Sequence, residues 1–264
     1  MPIDHTSTTA LVTGASSGLG AEFARQLAAR GADLVLVARR ADRLEALAAE
    51  LRDRHRCTVT VMARDLAQSD AGPALAADLG ARGIAVQTLV NNAGFATRNR
   101  FEREDGGRIS AEVALNVSAL VGITHAFYPQ LLAAGRGALV NVASTGAYQP
   151  VPLMAVYGAT KAFVLSFTEA LWYEAAGTGL RVLALSPGAT ATEFFDVAGE
   201  GSRVGSVQTP AQVVSLALAT LDRRNPPPSV VSGGANHLTT VGTRLLSRRA
   251  VVRVVGRLTE RQPV

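Results

Sequence analysis

Tyr157 and Lys161 stand four residues apart in a helix-like stretch, so their side chains share one face. A phenol with a pKa near ~10 is a poor base at neutral pH. A cation one helical turn away favours the phenolate and is expected to lower that pKa, which makes the tyrosine usable as a general acid/base for a carbonyl/alcohol pair. Tyrosine and lysine also meet on solvated helix faces, but composition speaks against that here. The chain has four tyrosines and, among 26 basic residues, a single lysine. A lone lysine placed at random falls four residues after a tyrosine about once in 66 trials. Everywhere else the chain uses arginine, whose planar guanidinium cannot replace a compact ammonium donor. Ser144 lies thirteen residues before Tyr157 at the end of an apolar run. Its hydroxyl can donate to a substrate oxygen; taken alone, it reads as a strand-end cap.

A second constellation stands near the beginning of the chain. Thr13-Gly14-Ala15-Ser16-Ser17-Gly18-Leu19-Gly20 follows an apolar run and opens a helical one, the place where a dinucleotide pyrophosphate meets a helix N-terminus. Gly14 allows the tight turn, Gly18 lets backbone approach phosphate, and Gly20 lets helix and strand pack closely. The competing reading is an ordinary glycine-rich strand–helix turn. No Gly-Lys-Ser/Thr occurs, so a Walker phosphate loop is excluded. After the second strand the chain reads Val37-Ala38-Arg39-Arg40, with no carboxylate for a ribose 2′-hydroxyl. Arg39 is expected to face a 2′-phosphate, and Arg40 to stack on adenine or add charge. This favours NADP (NADPH) over NAD; solvated arginines at a helix start are the alternative.

Short apolar runs that must position these residues occur at Ala10–Val12, Leu34–Ala38, Thr58–Met62, Thr88–Val90, Ala138–Val142, Arg181–Leu185 and, more weakly, Ser229–Val231. Runs apolar at every position fit parallel strands covered on both faces. Helical stretches alternate with them: Leu19–Arg30, Ala41–Arg54, Ala71–Ala81, Ile109–Ala134, Met154–Ala176 and Pro210–Arg223, the last preceded by a capping box of Thr209 and Gln212. The fold class is α/β, a single-domain doubly wound (Rossmann-like) sheet of about seven parallel strands with helices on both faces. No linker divides residues 1–264; residues 235–264 form a basic amphipathic helical segment at the end.

Five motifs in order, from about Thr9 to Gly234, resemble those of the short-chain dehydrogenase/reductase family. They are the glycine-rich turn, Asn91-Asn92-Ala93-Gly94, the helix asparagine Asn116, Ser144 with Tyr157-x3-Lys161, and Pro187-Gly188. The resemblance implies hydride transfer between a nicotinamide and a carbonyl or alcohol. It makes Tyr157 the proton-transfer group, Lys161 the residue that assists it and holds ribose, Ser144 the orienting hydroxyl, and Asn116 the holder of a relay water. A buried polar residue at a helix irregularity is the other reading of Asn116. The resemblance also implies cofactor contacts from Ser16, Ser17, Leu19, Asp65, Leu66, Asn92, Ala93, Gly94, Pro187, Gly188, Thr190 and Thr192, and a homodimer or homotetramer built on the two long helices.

Candidate substrate walls are Phe95, Phe101, Tyr148, Val151, Leu153, Met154, Phe194 and Phe195, and residues 191–207 look like a lid. Such a wall predicts a small apolar carbonyl or alcohol substrate, although several of these residues read equally as core. His5, His55, His125 and His237 have no metal-ligand spacing, so no metal is expected. A hydrophobic fraction of 48% excludes intrinsic disorder, and the lone Cys57, read as a buried strand residue, excludes an internal disulfide. No uninterrupted apolar run reaches membrane-spanning length and the first residues lack a signal core, so a cytoplasmic protein is expected. The net charge of +5 is spread along the chain and gathers at residues 244–261, where Val251, Val254, Val255 and Leu258 define an apolar helix face opposite Arg249, Arg253, Arg257 and Arg261. Packing on the domain is the expected role of that helix, with peripheral membrane contact open and nucleic acid not expected. Two other functions compete: a catalytically silent binding or regulatory protein on the same fold, and a peripheral membrane-associated lipid-type ketone reductase.

Overall fold

A computed structural model describes residues 2–194 and 207–260. Seven parallel strands form one sheet in the order β3-β2-β1-β4-β5-β6-β7. They are β1 (Thr9–Thr13), β2 (Asp33–Ala38), β3 (Val59–Ala63), β4 (Thr88–Asn91), β5 (Ala138–Val142), β6 (Arg181–Ser186) and β7 (Ser229–Val231). The helices between them are α1 (Gly18–Ala29), α2 (Ala41–His55), α3 (Ala71–Ala81), α4 (Gly106–Val113), α5 (Leu120–Ala134), α6 (Ala155–Glu174) and α7 (Pro210–Leu221). Two more, α8 (Gly234–Leu245) and α9 (Arg248–Glu260), follow β7.

The apolar strands are covered on both faces, as parallel strands require. Ala10, Val12, Leu34, Leu36, Val140 and Leu183 pack with α1, α2 and α7 on one face. Leu11, Val35, Val37, Leu89, Leu139 and Val182 pack with α3, α5 and α6 on the other. The capping box forms as read: Gln212 N–H donates to Thr209 Oγ1 at 3.3 Å, and Thr209 N–H donates to Gln212 Oε1 at 2.9 Å. Cys57 falls just before β3 rather than within a strand and is half-buried, with its thiol pushed up by burial.

The long stretch expected from Ile109 is helical from Gly106 to Ala134, but residues Ala114–Ala119 adopt a π-helical turn centred on Asn116. This 29-residue run is long and apolar enough to cross a bilayer by composition. Here it is a domain helix, because Ile123, Phe127 and Leu131 lie in the core beneath the sheet. The C-terminal segment is two helices, broken at Leu246–Ser247, rather than one. Val251 and Thr259 of α9 are buried, Gly256 faces Pro152, and Arg98 donates to the Thr259 carbonyl oxygen at 3.0 Å. That contact line leaves Val254 and Leu258 about half exposed, against the expectation that they share the buried face. Arg261 and the central part of the expected lid lie outside the described residues.

Candidate active site

β1 and β4 are neighbours, and their connections leave to opposite faces of the sheet, so a crevice opens beyond their C-terminal ends. The turns after these two strands are tied together. Thr13 Oγ1 accepts from the backbone N–H groups of Asn92 at 3.0 Å and Ala93 at 3.1 Å. Asn92 Nδ2 donates back to the carbonyl oxygens of Thr13 at 3.0 Å and Gly14 at 3.2 Å. Gly14 has φ +65°, and a Cβ at Gly20 would lie 2.3 Å from the Gly14 carbonyl oxygen. Only glycine fits either place.

Ser17 precedes α1 without capping it through its side chain, which leaves the helix N-terminus open toward the crevice. Arg40 lies beside this end. Its guanidinium donates to Ser16 Oγ and Ser17 Oγ at 3.0 Å each and to Glu193 Oε2 at 2.9 Å. Arg43 also reaches Glu193. Arg40 is thus the arginine held against the turn after β1; both Arg39 and Arg40 are exposed. Arg43 and Glu193 were not singled out from the sequence; the spacing of one helical turn between Arg40 and Arg43 was the available signal. Asp65 Oδ1 accepts from Ala67 N–H at 3.0 Å and shapes the turn after β3, while Leu66 is buried beneath it.

The other constellation meets the crevice from β5 and α6. Ser144 caps a short 3-10 turn by accepting from Gly146 N–H at 3.0 Å, and its hydroxyl is also hydrogen-bonded to Tyr157. The strand-end cap read from the sequence is therefore present. Lys161 Nζ donates to the Val142 carbonyl oxygen at 2.8 Å and lies 5.8 Å from the centre of the Tyr157 ring. Burial pushes the Tyr157 phenol up to about 12; the Ser144 hydrogen bond opposes this and the charge of Glu112 adds to it. Burial draws Lys161 down to about 8, against the pull of Glu112. The expected lowering of the tyrosine by its lysine is not found in the protein alone, where desolvation penalises both charges.

Asn116 is buried at the π-helical turn. Its Oδ1 accepts from Phe95 N–H at 3.1 Å, and its Nδ2 donates to the Phe95 carbonyl oxygen at 2.9 Å and to Thr160 Oγ1 at 3.2 Å. The opposite wall begins at Pro187, whose carbonyl oxygen accepts from Thr145 N–H at 2.9 Å. Beyond it Thr190 Oγ1 donates to the Gly188 carbonyl oxygen, and Thr192 leans against Gly18. Ala96, Val151, Met154 and Phe194 pack around Tyr157, with the Phe194 ring 5.6 Å from its own. Leu153 and the exposed Phe101 line an adjoining cleft, and Tyr148 approaches Ser186 at 3.5 Å. Phe95 is half-buried and bonds Asn116 through its backbone, and Phe195 lies outside the described residues. The arrangement joins an uncapped helix N-terminus to a half-buried phenol and hydroxyl and a buried ammonium.

Residues 8–202 match the family model for short chain dehydrogenases. The chain belongs to that family. As a short-chain dehydrogenase it is an oxidoreductase of a family that uses nicotinamide cofactors, and the glycine turn, open helix end and Arg40 fit such a dinucleotide. It is 42% identical over 197 residues to a sulfoacetaldehyde reductase of Chromohalobacter salexigens, covering 74% of this chain and 77% of that one. A short-chain dehydrogenase from Sphingobium yanoikuyae in complex with NADPH superposes with a TM-score of 0.78 at 37% identity, over 90% of this chain and 94% of that chain. A 3-ketoacyl-(acyl-carrier-protein) reductase from Brucella melitensis complexed with NADH superposes with a TM-score of 0.74 at 30% identity, over 86% and 98%.

Proposed function

We propose that this short-chain dehydrogenase is an NADP(H)-dependent oxidoreductase acting on a carbonyl or secondary alcohol with an apolar substituent, with Tyr157 as general acid/base. The observation that carries the reading is the convergence of Tyr157, Ser144 and Lys161 beside the glycine-rich turn. When bound, the cofactor supplies or takes the hydride. In reduction, negative charge developing on the substrate oxygen meets the Ser144 hydroxyl and the Tyr157 phenol, and Tyr157 gives up its proton. In oxidation the phenolate takes the alcohol proton. The Lys161 ammonium favours that phenolate and holds ribose, and Asn116 supports proton exchange with solvent.

The residues from Gly14 to Gly20 cradle the pyrophosphate, and Asp65 and Leu66 flank the adenine. Asn92, Ala93 and Gly94 form the floor; Pro187, Gly188, Thr190 and Thr192 hold the carboxamide end. Arg40, with Arg39 nearby, reads the 2′-phosphate, supported by its place over Ser16 and Ser17 and by the NADPH-bound neighbour. An NADH-bound neighbour makes NAD the second choice. The apolar packing around Tyr157 supports an apolar substrate. The sulfoacetaldehyde reductase relative favours a second reading, a short anionic aldehyde.

We also propose a cytoplasmic homo-oligomer; the exposed Phe163 and Tyr173 of α6 support the assembly. A spectrophotometric screen of NADPH and NADH against aliphatic ketones, aldehydes and sulfoacetaldehyde tests the reading. Cofactor oxidation with none of them would leave a silent binding protein, and light scattering showing a monomer at micromolar concentration would refute the assembly.

A further inference from the structure

One buried acid stands outside the constellation described so far. Glu112 is fully buried on α4, one helical turn before Asn116. Its Oε2 accepts from Thr97 N–H at 3.1 Å and Thr97 Oγ1 at 2.7 Å. Its Oε1 is buried with no hydrogen-bond partner among the described residues. A buried carboxyl oxygen left unpaired is costly, so its retention calls for a compensating role.

Its position supplies one. Asn116 grips Phe95 through both amide atoms, and Glu112 grips Thr97 two residues further on. Together they hold the loop that leaves β4 beneath the lysine: a Cβ at Gly94 would lie 2.8 Å from Asn116 Oδ1 and 3.6 Å from Lys161 Nζ. The charges that act on Glu112 are those of Lys161 on α6 and Glu104 on the loop before α4, and its own charge acts on Tyr157. Lys161 favours the carboxylate, whereas Glu104 and burial disfavour it.

We propose that Glu112 is a positioning residue whose carboxylate acts through Lys161, setting the protonation of the Lys161–Tyr157 pair and thereby the pH range of turnover. This rests on the reading of Tyr157 as the proton-transfer group. A negative charge beside the pair holds the proton on the ammonium and disfavours the phenolate. Removing that charge moves both ionisations to lower pH, and they are observed as those of a coupled pair.

The test is Glu112→Gln, which keeps an oxygen for Thr97 and removes the charge. Full pH profiles of kcat/KM are measured in both directions on a substrate that the wild type turns over, beside the thermal midpoint. The alkaline limb of reduction and the acid limb of oxidation are both expected to move down by about 0.5–1 pH unit. Profiles that superimpose on the wild type at equal thermal stability overturn the proposal and leave Glu112 a loop anchor. Thr97→Val is the second variant, available also should Glu112→Gln not fold. It removes the hydroxyl donor but leaves the carboxylate, so the limbs are expected to stay with the wild type; limbs that move as far as a lost charge predicts would assign the effect to the loop and overturn the proposal. Tyr157→Phe, measured alongside, separates the two readings. If it retains turnover, the role of Tyr157 fails; if it is inactive while the Glu112→Gln profile stays put, the role of Glu112 alone fails.

Discussion

Lys161 hangs from the end of β5: its ammonium donates to the Val142 carbonyl oxygen at 2.8 Å while its Nζ stays 5.8 Å from the Tyr157 ring centre. The strand, not the helix alone, therefore fixes the distance between cation and phenol. Tyr157→Phe keeps the ring against Phe194 and removes the transferable proton, so turnover should fall at least 10²-fold, about the contribution of a positioned acid/base, while NADPH still binds by fluorescence titration. Lys161→Arg should be nearly as severe, because a planar guanidinium in a buried slot cannot reproduce this single donor geometry. Wild-type rates for the arginine variant would show that any cation suffices.

The proposed reading of the 2′-phosphate by Arg40 can be tested directly. Its guanidinium lies on Ser16 and Ser17 and is held by Glu193. Arg40→Ala should weaken NADPH far more than NADH. A charge-assisted hydrogen bond is worth roughly 1.5–3 kcal/mol, or about 10- to 150-fold in the NADPH dissociation constant. Arg39→Ala should do less, since it is Arg40 that bonds the Ser16 and Ser17 side chains. Equal losses for both cofactors would remove Arg40 from phosphate recognition, and a larger effect at Arg39 would restore the expectation from sequence.

His5 makes stability depend on pH. It is 2% exposed, and neither ring nitrogen has a partner among the described residues. Burial, aided by the charge of Arg30, holds its pKa below the ordinary 6.5, while Asp222 and Asp4 pull the other way. The unfolded chain therefore binds this proton more readily than the folded one, and stability is lost as pH falls below about 6.5, by up to ~1.4 kcal/mol per unit until the folded pKa is passed. Thermal melts from pH 7.5 to 5 should show a decline in the midpoint that His5→Leu reduces. An unchanged slope in that variant would assign the decline to other groups.

The α9 helix rests on Pro152 and Arg98, close to the apolar wall around Tyr157. Deleting residues 244–264 should lower the melting temperature in lipid-free buffer, by roughly 2–4 °C for each kcal/mol of packing energy removed. Four arginines, Arg248, Arg249, Arg253 and Arg257, remain exposed beside Leu245 and Leu246. Sedimentation with anionic vesicles that disappears on deletion, with stability unchanged, would instead assign the segment to a membrane surface.

The sheet was legible because its strands are apolar at consecutive positions, a pattern that both covered faces demand. The Thr209–Gln212 capping box was legible because its chemistry is local. Glu112 was not: a glutamate in a helix reads as solvated, and its burial depends on Thr97, fifteen residues away. Thr13 was missed as a site residue for a similar reason, since its hydroxyl bonds to a turn some eighty residues on. The break at Leu246–Ser247 carries neither glycine nor proline to announce it. The contact of Arg40 with Ser16, Ser17 and Glu193 was not legible, because those partners come from two distant turns.

The scarcity of lysine has a practical side. The chain's one ε-amine is 6% exposed, and at about 8 its pKa would make it unusually reactive toward acylating reagents if they could reach it. Amine-directed dyes, crosslinkers and immobilisation surfaces therefore find no lysine handle on the folded protein. Any label recovered on Lys161 reports that the catalytic end of β5 has opened, and its rate of appearance times that opening.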